Sequence, residues 1–202
     1  MILVGQYDSP YVRRVAISLR LLGFAYRHDT RSVFGDFDSI RKTNPTGRIP
    51  ALVLDDGTVL VDSGVILDYL DEEVGPTRAL IPPSGPARRD ALHRVALASA
   101  AIDKAGAANY ERLLRPRQYQ WPEWIQRLQT QALGAIEALE ALAWPADAPI
   151  DQARITTVSL LRYLELRSPD LAPPARFPTL AALAARCEKR PEFIATYPPD
   201  GC

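Results

Sequence analysis

Ser9, Pro10 and Tyr11 stand between an apolar run at residues 2–5 (ILVG) and a helical pattern of Val12, Val15, Ala16, Leu19 and Leu22 that stops at Gly23. Proline suits the first turn of a helix because the N–H it lacks would go unpaired there. A serine just before it can accept one of the N–H groups that remain. Capping therefore accounts for Ser9 without further chemistry. The same helix start also offers free N–H groups and a partial positive charge to an anion, and a thiolate is one such anion. A hydroxyl donating to sulfur contributes about 1.5–3 kcal/mol and the helix dipole about 0.3–1 kcal/mol. Together they would lower a bound thiol's pKa by roughly two units, enough to ionise most of it at neutral pH.

Two further stretches carry candidate chemistry. In NPTGRIPALVLDDG, residues 44–57, Asn44, Pro45 and Gly47 signal a turn and Pro50 immediately precedes a strand. The Ile49–Pro50 bond is trans by default, since only about 5–6% of such bonds are cis. Asp62 and Ser63 fall between a strand end and a helix start, where capping explains both; free N–H groups holding a ligand carboxylate are the functional alternative. His28 and His93 follow no catalytic spacing and are expected at the surface. Trp121, Trp124 and Trp144 are expected to pack rather than to touch a ligand.

The elements that must position these residues follow from the hydrophobic pattern. The first eighty residues read as strand, helix, a second strand at AYRH (25–28), a middle segment, and then a hairpin turning at Asp55, Asp56 and Gly57 before a helix capped by Ser63. Residues 75–89 are rich in proline and glycine, and the alternating pattern does not resume beyond them, so the domain boundary is expected there. Downstream, Leu128, Ala132, Ile136, Leu139 and Leu142 form one helical stripe. Ile155, Val158, Leu161, Leu164 and Leu166 form another. Prolines punctuate this half as they would a helical bundle.

The 202-residue chain carries 24 Lys and Arg against 24 Asp and Glu. That balance gives no basic field for nucleic acid. Its two cysteines, Cys187 and Cys202, have no metal-ligand spacing and suggest a reducing compartment. The apolar start is too short for a signal-peptide core, and no apolar run approaches the ~18 residues of a membrane span, so a cytoplasmic protein without metal or membrane partners is expected.

SPY after a first strand, NPTGRIPAL in the middle and DSGVILDYL beyond it together resemble the glutathione S-transferase superfamily over the whole length. The likeness is to serine-type bacterial members, whose first motif commonly reads Ser-Pro-aromatic-x-Arg. It implies an α/β thioredoxin-like N-terminal domain over 1–78, a linker over 79–89 and an all-α helical-bundle domain over 90–202. By resemblance, Ser9 hydrogen-bonds the sulfur of glutathione, with Tyr7 as its rival. Ile49 pairs its backbone with the cysteinyl part, and Pro50 is the cis proline that exposes that backbone, reversing the default. Asp62 and Ser63 take the ammonium and carboxylate of the γ-glutamyl end, and Arg48 reaches the glycyl carboxylate.

A small hydrophobic electrophile is expected between the domains, against Tyr7, Tyr11, Asp103, Asn109 and Tyr110. The implied protein is a detoxifying transferase and a homodimer that pairs through the start of the C-terminal helices and the helix beginning at Ser63. A regulatory binding module of the same fold, or a glutathione-dependent peroxide or disulfide reductase, is the alternative. Two departures stand out. Asp62 is one methylene shorter than the glutamate of many relatives. At the capping sequence of a central C-terminal helix, Asp151 is the cap and Arg154 stands where the reciprocal acid would be.

Overall fold

The computed structural model describes residues 1–199, so Cys202 lies outside the described residues. The chain divides into two compact units, residues 1–88 with the described residues from Glu188 onward, and residues 89–187. In the first, β1 (Ile2–Val4), β2 (Arg27–Asp29), β3 (Ala51–Val53) and β4 (Val59–Val61) form one sheet in the order β2-β1-β3-β4. β1 runs parallel to β2, with Leu3 opposite His28, and antiparallel to β3, with Leu3 opposite Leu52. A parallel pair needs a crossover. The helix α1 (Pro10–Leu22) supplies it, ending as expected at Gly23, whose φ of +82° lets the Phe24 N–H reach back to the Leu19 carbonyl.

One apolar cluster holds this unit together. Val12, Val15, Ala16 and Leu19 of α1 pack with Leu3, Leu52 and the Ile66, Leu67 and Leu70 side chains of α3 (Ser63–Val74). Burying each of the larger side chains stabilises the fold by about 1.5–3 kcal/mol. The second strand starts two residues later and ends one residue later than its pattern suggested, its register set by pairing with β1. In the middle segment, α2 (Phe37–Thr43) was not expected; with Ile40 as its single buried residue, it carries no amphipathic stripe to betray it.

The second unit contains the helices α5 (Pro122–Glu140), α6 (Gln152–Arg167) and α7 (Pro178–Cys187) and most of α4 (Gly85–Leu114). These units are the thioredoxin-like and all-helical parts that the resemblance implied. Leu128, Ala132, Ile136 and Leu139 are buried along α5 as read, whereas Leu142 falls beyond its end. α6 is enclosed on every side over its first half, from Gln152 to Leu160, so it presents no single stripe. Among the described residues no helix is long and apolar enough to cross a membrane.

Several expectations need correction. The helical domain expected over 90–202 yields its last described residues, from Glu188, to the first unit. The physical reason is Arg13, almost wholly buried, whose guanidinium donates to the Glu188 carboxylate at 2.7 Å, to the Thr196 carbonyl at 3.2 Å and to the Phe193 carbonyl at 3.3 Å. α8 (Pro191–Ile194) is thereby tied to α1. At the start of α6 Asp151 caps as read, accepting the Arg154 N–H at 2.8 Å, and the Arg154 guanidinium donates to the other Asp151 oxygen at 2.7 Å. This ion pair is not the reciprocal bond of a capping box, because a guanidinium cannot accept the cap residue's own N–H. Trp144 does pack, donating to the Leu139 carbonyl beneath the Arg94 guanidinium. Trp121 and Trp124 do not, being 60% and 40% exposed and stacked on each other.

One cap in the second unit comes from a distant residue. Glu140, at the end of α5, accepts the N–H groups of Thr179 at 2.8 Å and Leu180 at 2.9 Å in the first turn of α7. Burial alone would raise its pKa, but those backbone donors outweigh burial and hold the carboxyl below its ordinary value. A depressed acid contributes stability that is present above its unfolded pKa and lost as pH falls through the folded one. Glu140→Ala is expected to lower stability by about 1 kcal/mol near neutral pH. In thermal unfolding, the gap to wild type should close as the pH is stepped down through the carboxylate range.

Candidate active site

The first unit brings two of the predicted segments together at the end of β1 and ties the third to α1 through Arg14 and Ser63. Gly5 leaves that strand at a φ of +125°, and a Cβ built there would lie 2.6 Å from Val12 Cγ2 and 2.8 Å from Ile49 Cβ. The first turn of α1 and the Ile49 segment therefore meet across this one residue, and only glycine leaves them room. Its peptide groups are held on both sides: the N–H donates to the Asp29 carbonyl at 2.8 Å, and its carbonyl accepts from His28 Nε2 at 2.7 Å. His28 is thus half-buried rather than a surface residue, its ring stacked at 3.9 Å on Tyr7. A glycine and a histidine without motif spacing gave no signal in the sequence.

Ser9 is the cap of α1 as read, in extended conformation, with its Oγ accepting the Val12 N–H at 3.4 Å. That bond is near the outer limit of hydrogen bonding and correspondingly weak. A hydroxyl that accepts keeps its own hydrogen to donate, and half-buried Ser9 holds this one at the positive end of a 13-residue helix.

Tyr7 stands differently. Its hydroxyl is 2.9 Å from that of Tyr26, to which Arg20 also donates. Burial first, and then the Tyr26 contact, push the Tyr7 phenol far above the usual tyrosine range. Tyr11 lies half-buried beneath the Arg14 guanidinium, 5.1 Å from its ring centre.

The Ile49–Pro50 bond is cis. Asn44, read only as a turn residue, organises the approach to it. Its buried amide donates to the Arg48 carbonyl at 2.7 Å and accepts from the Thr46 N–H at 3.0 Å and hydroxyl at 2.8 Å. Gly47 closes the turn at a φ of +67°, where a Cβ would strike the Phe37 ring. Among the described residues, no turn, loop or cap backbone bond uses Ile49. Arg48 projects an exposed side chain beside it.

At the start of α3 the sequence expectation is corrected. Asp62, not Ser63, is the cap; it sits at a φ of +71° and accepts the Gly64 N–H at 2.7 Å. Asp62 is the one non-glycine with positive φ among the described residues, a strained conformation of the kind that clusters at functional sites. Ser63 is the first helical residue, buried, with its Oγ accepting from Arg14 Nη2 at 2.6 Å.

In the second unit, Asp103 and Tyr110 are exposed on α4. Asn109 is buried, donating to the Tyr163 hydroxyl at 3.1 Å and accepting from the Ser168 hydroxyl at 3.0 Å, so its amide is engaged inside the helical unit. Among the described residues no three His, Cys, Asp or Glu side chains gather as a metal ion would need.

The first unit thus combines two helix starts with backbone groups at Ile49. Helix starts favour anionic groups of a ligand. Residues 3–78 match the family described as the glutathione S-transferase N-terminal domain. A glutathione transferase family member from Pseudomonas fluorescens Pf-5, solved with bound glutathione, is 37% identical, with 98% of each chain covered and a TM-score of 0.88. The maleylacetoacetate isomerase of Pseudomonas aeruginosa is 34% identical over 148 residues, 69% of each chain. The uncharacterised GST-like protein YibF of Escherichia coli K12 is 26% identical over 98% of this chain and 99% of its own. The chain belongs to the glutathione S-transferase superfamily.

The contact at Gly5 can be tested against Gly57, whose φ is +89° but where a Cβ would meet nothing within 4 Å. Gly57→Ala should cost only the left-handed backbone, about 1–2 kcal/mol. Gly5→Ala adds the collision with Val12 and Ile49 and should cost clearly more. Urea unfolding of both variants measures the difference, and equal losses would contradict the close approach.

Proposed function

We propose that this protein binds glutathione as its thiolate and joins the sulfur to a small hydrophobic electrophile. The observation that carries the reading is Ser9: a hydroxyl with a hydrogen to give, at the positive end of α1, linked through Gly5 to the Ile49 segment. The Ser9 O–H would donate to sulfur while the helix start stabilises its charge, and the thiol proton would leave to solvent. The ionised sulfur then attacks an activated carbon, either displacing an anionic leaving group or adding to an activated double bond, whose π electrons move to the far carbon and take up a proton from solvent. Rate would come from thiol ionisation and from holding the sulfur in place.

In this reading Ile49 offers its N–H and carbonyl to the cysteinyl part, with Pro50 in the cis form that the resemblance implied. Asp62 takes the ammonium, Ser63 the γ-glutamyl carboxylate and Arg48 the glycyl carboxylate. Tyr11 is the contact proposed for the electrophile within the first unit. Tyr7 is set aside as the thiol's partner, because its hydroxyl is held by Tyr26 and by burial resists ionisation. A reductase that forms a mixed disulfide would need a thiol at this helix start, where the chain has Ser9. Homodimeric assembly in the cytoplasm completes the proposal.

Ser9→Ala tests the central step. Thiolate absorbance of bound glutathione, followed against pH, should show an apparent pKa about one to two units higher in the variant. An unchanged profile would move the role to backbone donors. Conjugation of an electrophilic aromatic halide should fall with the ionised fraction. Calorimetry with glutathione that gives no heat for the wild type would sink the whole reading in favour of an interaction module.

A further inference from the structure

Arg13 and Arg14 are consecutive, both buried on α1, and engaged in different work. Arg13 ends on the Glu188 carboxylate and two main-chain carbonyls of the C-terminal segment. Arg14 is 5% exposed and ends on Ser63, with Nη2 2.6 Å from the serine oxygen, Ser63 itself being 3% exposed. A guanidinium has donors only. In this contact the Ser63 oxygen must accept, and its single hydroxyl hydrogen is left to point elsewhere.

That constraint orients a rotor that would otherwise turn freely. Ser63 opens α3, so its N–H is one of those left without an intrahelical partner. A carboxylate at this helix start would therefore meet a hydroxyl aimed away from Arg14, an available N–H and, one bond further back, a permanent positive charge. The guanidinium carbon of Arg14 lies over the Tyr11 ring, 5.1 Å from its centre. The neighbouring cap, Asp62, is exposed and anionic. A buried cation behind Ser63 and an exposed acid beside it form a charge pair of the polarity that an α-amino acid end presents in reverse.

We infer that Arg14 is a positioning residue for the γ-glutamyl α-carboxylate of glutathione, acting through the Ser63 hydroxyl. The inference rests on the glutathione reading of the same site. Ser63 makes the contact, and Arg14 sets the direction of its hydrogen and supplies charge behind it. Removing the guanidinium should therefore weaken recognition of the carboxylate selectively and leave the sulfur and main-chain contacts of the ligand in place.

The experiment compares two probes by calorimetry: glutathione, and its analogue with 4-aminobutyrate in place of the γ-glutamyl residue, which lacks only the α-carboxylate. Wild type should prefer glutathione. Arg14→Met should weaken glutathione about 10- to 100-fold, the range for hydrogen bonds to charged groups, and should change the analogue less than about threefold. Arg14→Lys, which keeps a charge and donors, should recover part of the preference. Arg14→Gln is the second neutral variant should Arg14→Met fail to fold. In a cycle with Ser63→Ala, the double variant should lose little more than the worse single one. Equal loss of both probes, full additivity with Ser63→Ala, or a wild type that binds both probes alike would overturn the role of Arg14 with glutathione binding intact. A wild type that binds neither would overturn the underlying reading itself.

Discussion

At Gly5 the first turn of α1 and the Ile49 segment close on one residue, so that an added Cβ would overlap both of them. The strand β1 must end there, the first turn of α1 lies on one side through Val12, and Ile49 lies on the other. Hydrogen bonds from Gly5 to Asp29 and from His28 to Gly5 fix the peptide that passes between them. Everything proposed for the site is referred to this point. Ser9 is three residues before Val12 on the helix whose start it caps, and Pro50 follows Ile49. A side chain at Gly5 would push apart the helix start and the Ile49 segment, the two places where sulfur and cysteinyl backbone are proposed to bind.

The second organising influence is the placement of charge at helix starts. α1 and α3 each begin with an oxygen that satisfies a backbone N–H, Ser9 in one case and Asp62 in the other. The two starts differ in what stands behind them. At α1 a neutral hydroxyl leaves the partial positive charge of the helix for a ligand. At α3 the strained Asp62 carboxylate is exposed, while Ser63 is backed by the buried guanidinium of Arg14. One helix start therefore suits an anion, and the other suits a group carrying both signs. Arg13 shows how strongly direction matters: one position earlier on the same helix, a guanidinium binds the end of the chain.

The helical unit is built by a different means. Alanines make up most of the buried side of α4. Polar residues then lock its ends and crossings. Glu140 caps α7 from the end of α5, Arg154 returns to its own cap Asp151, and Asn109 joins Tyr163 to Ser168. At the start of α6 a guanidinium three residues on pairs with the capping carboxylate itself.

Residue order alone was sufficient for the two-part architecture, the cap at Ser9, the hairpin through Gly57 and the helix beginning near Asp62, because each rests on local periodicity or on the conformational bias of proline and glycine. The stripe along α5 was legible for the same reason. Motif order added the cis bond before Pro50, which local preference had assigned the other way. Tertiary structure alone decided that Gly5 must lack a side chain, that His28 faces inward, that Asn44 holds the Arg48 carbonyl and that Arg14 meets Ser63 across 49 positions. It also returned the residues from Glu188 to the first unit and left Trp121 and Trp124 exposed. The division has a physical cause. Helix starts and turns are set by forces acting over a few neighbouring residues, whereas steric exclusion and the direction of a buried hydrogen bond depend on which distant segments the packed core brings together.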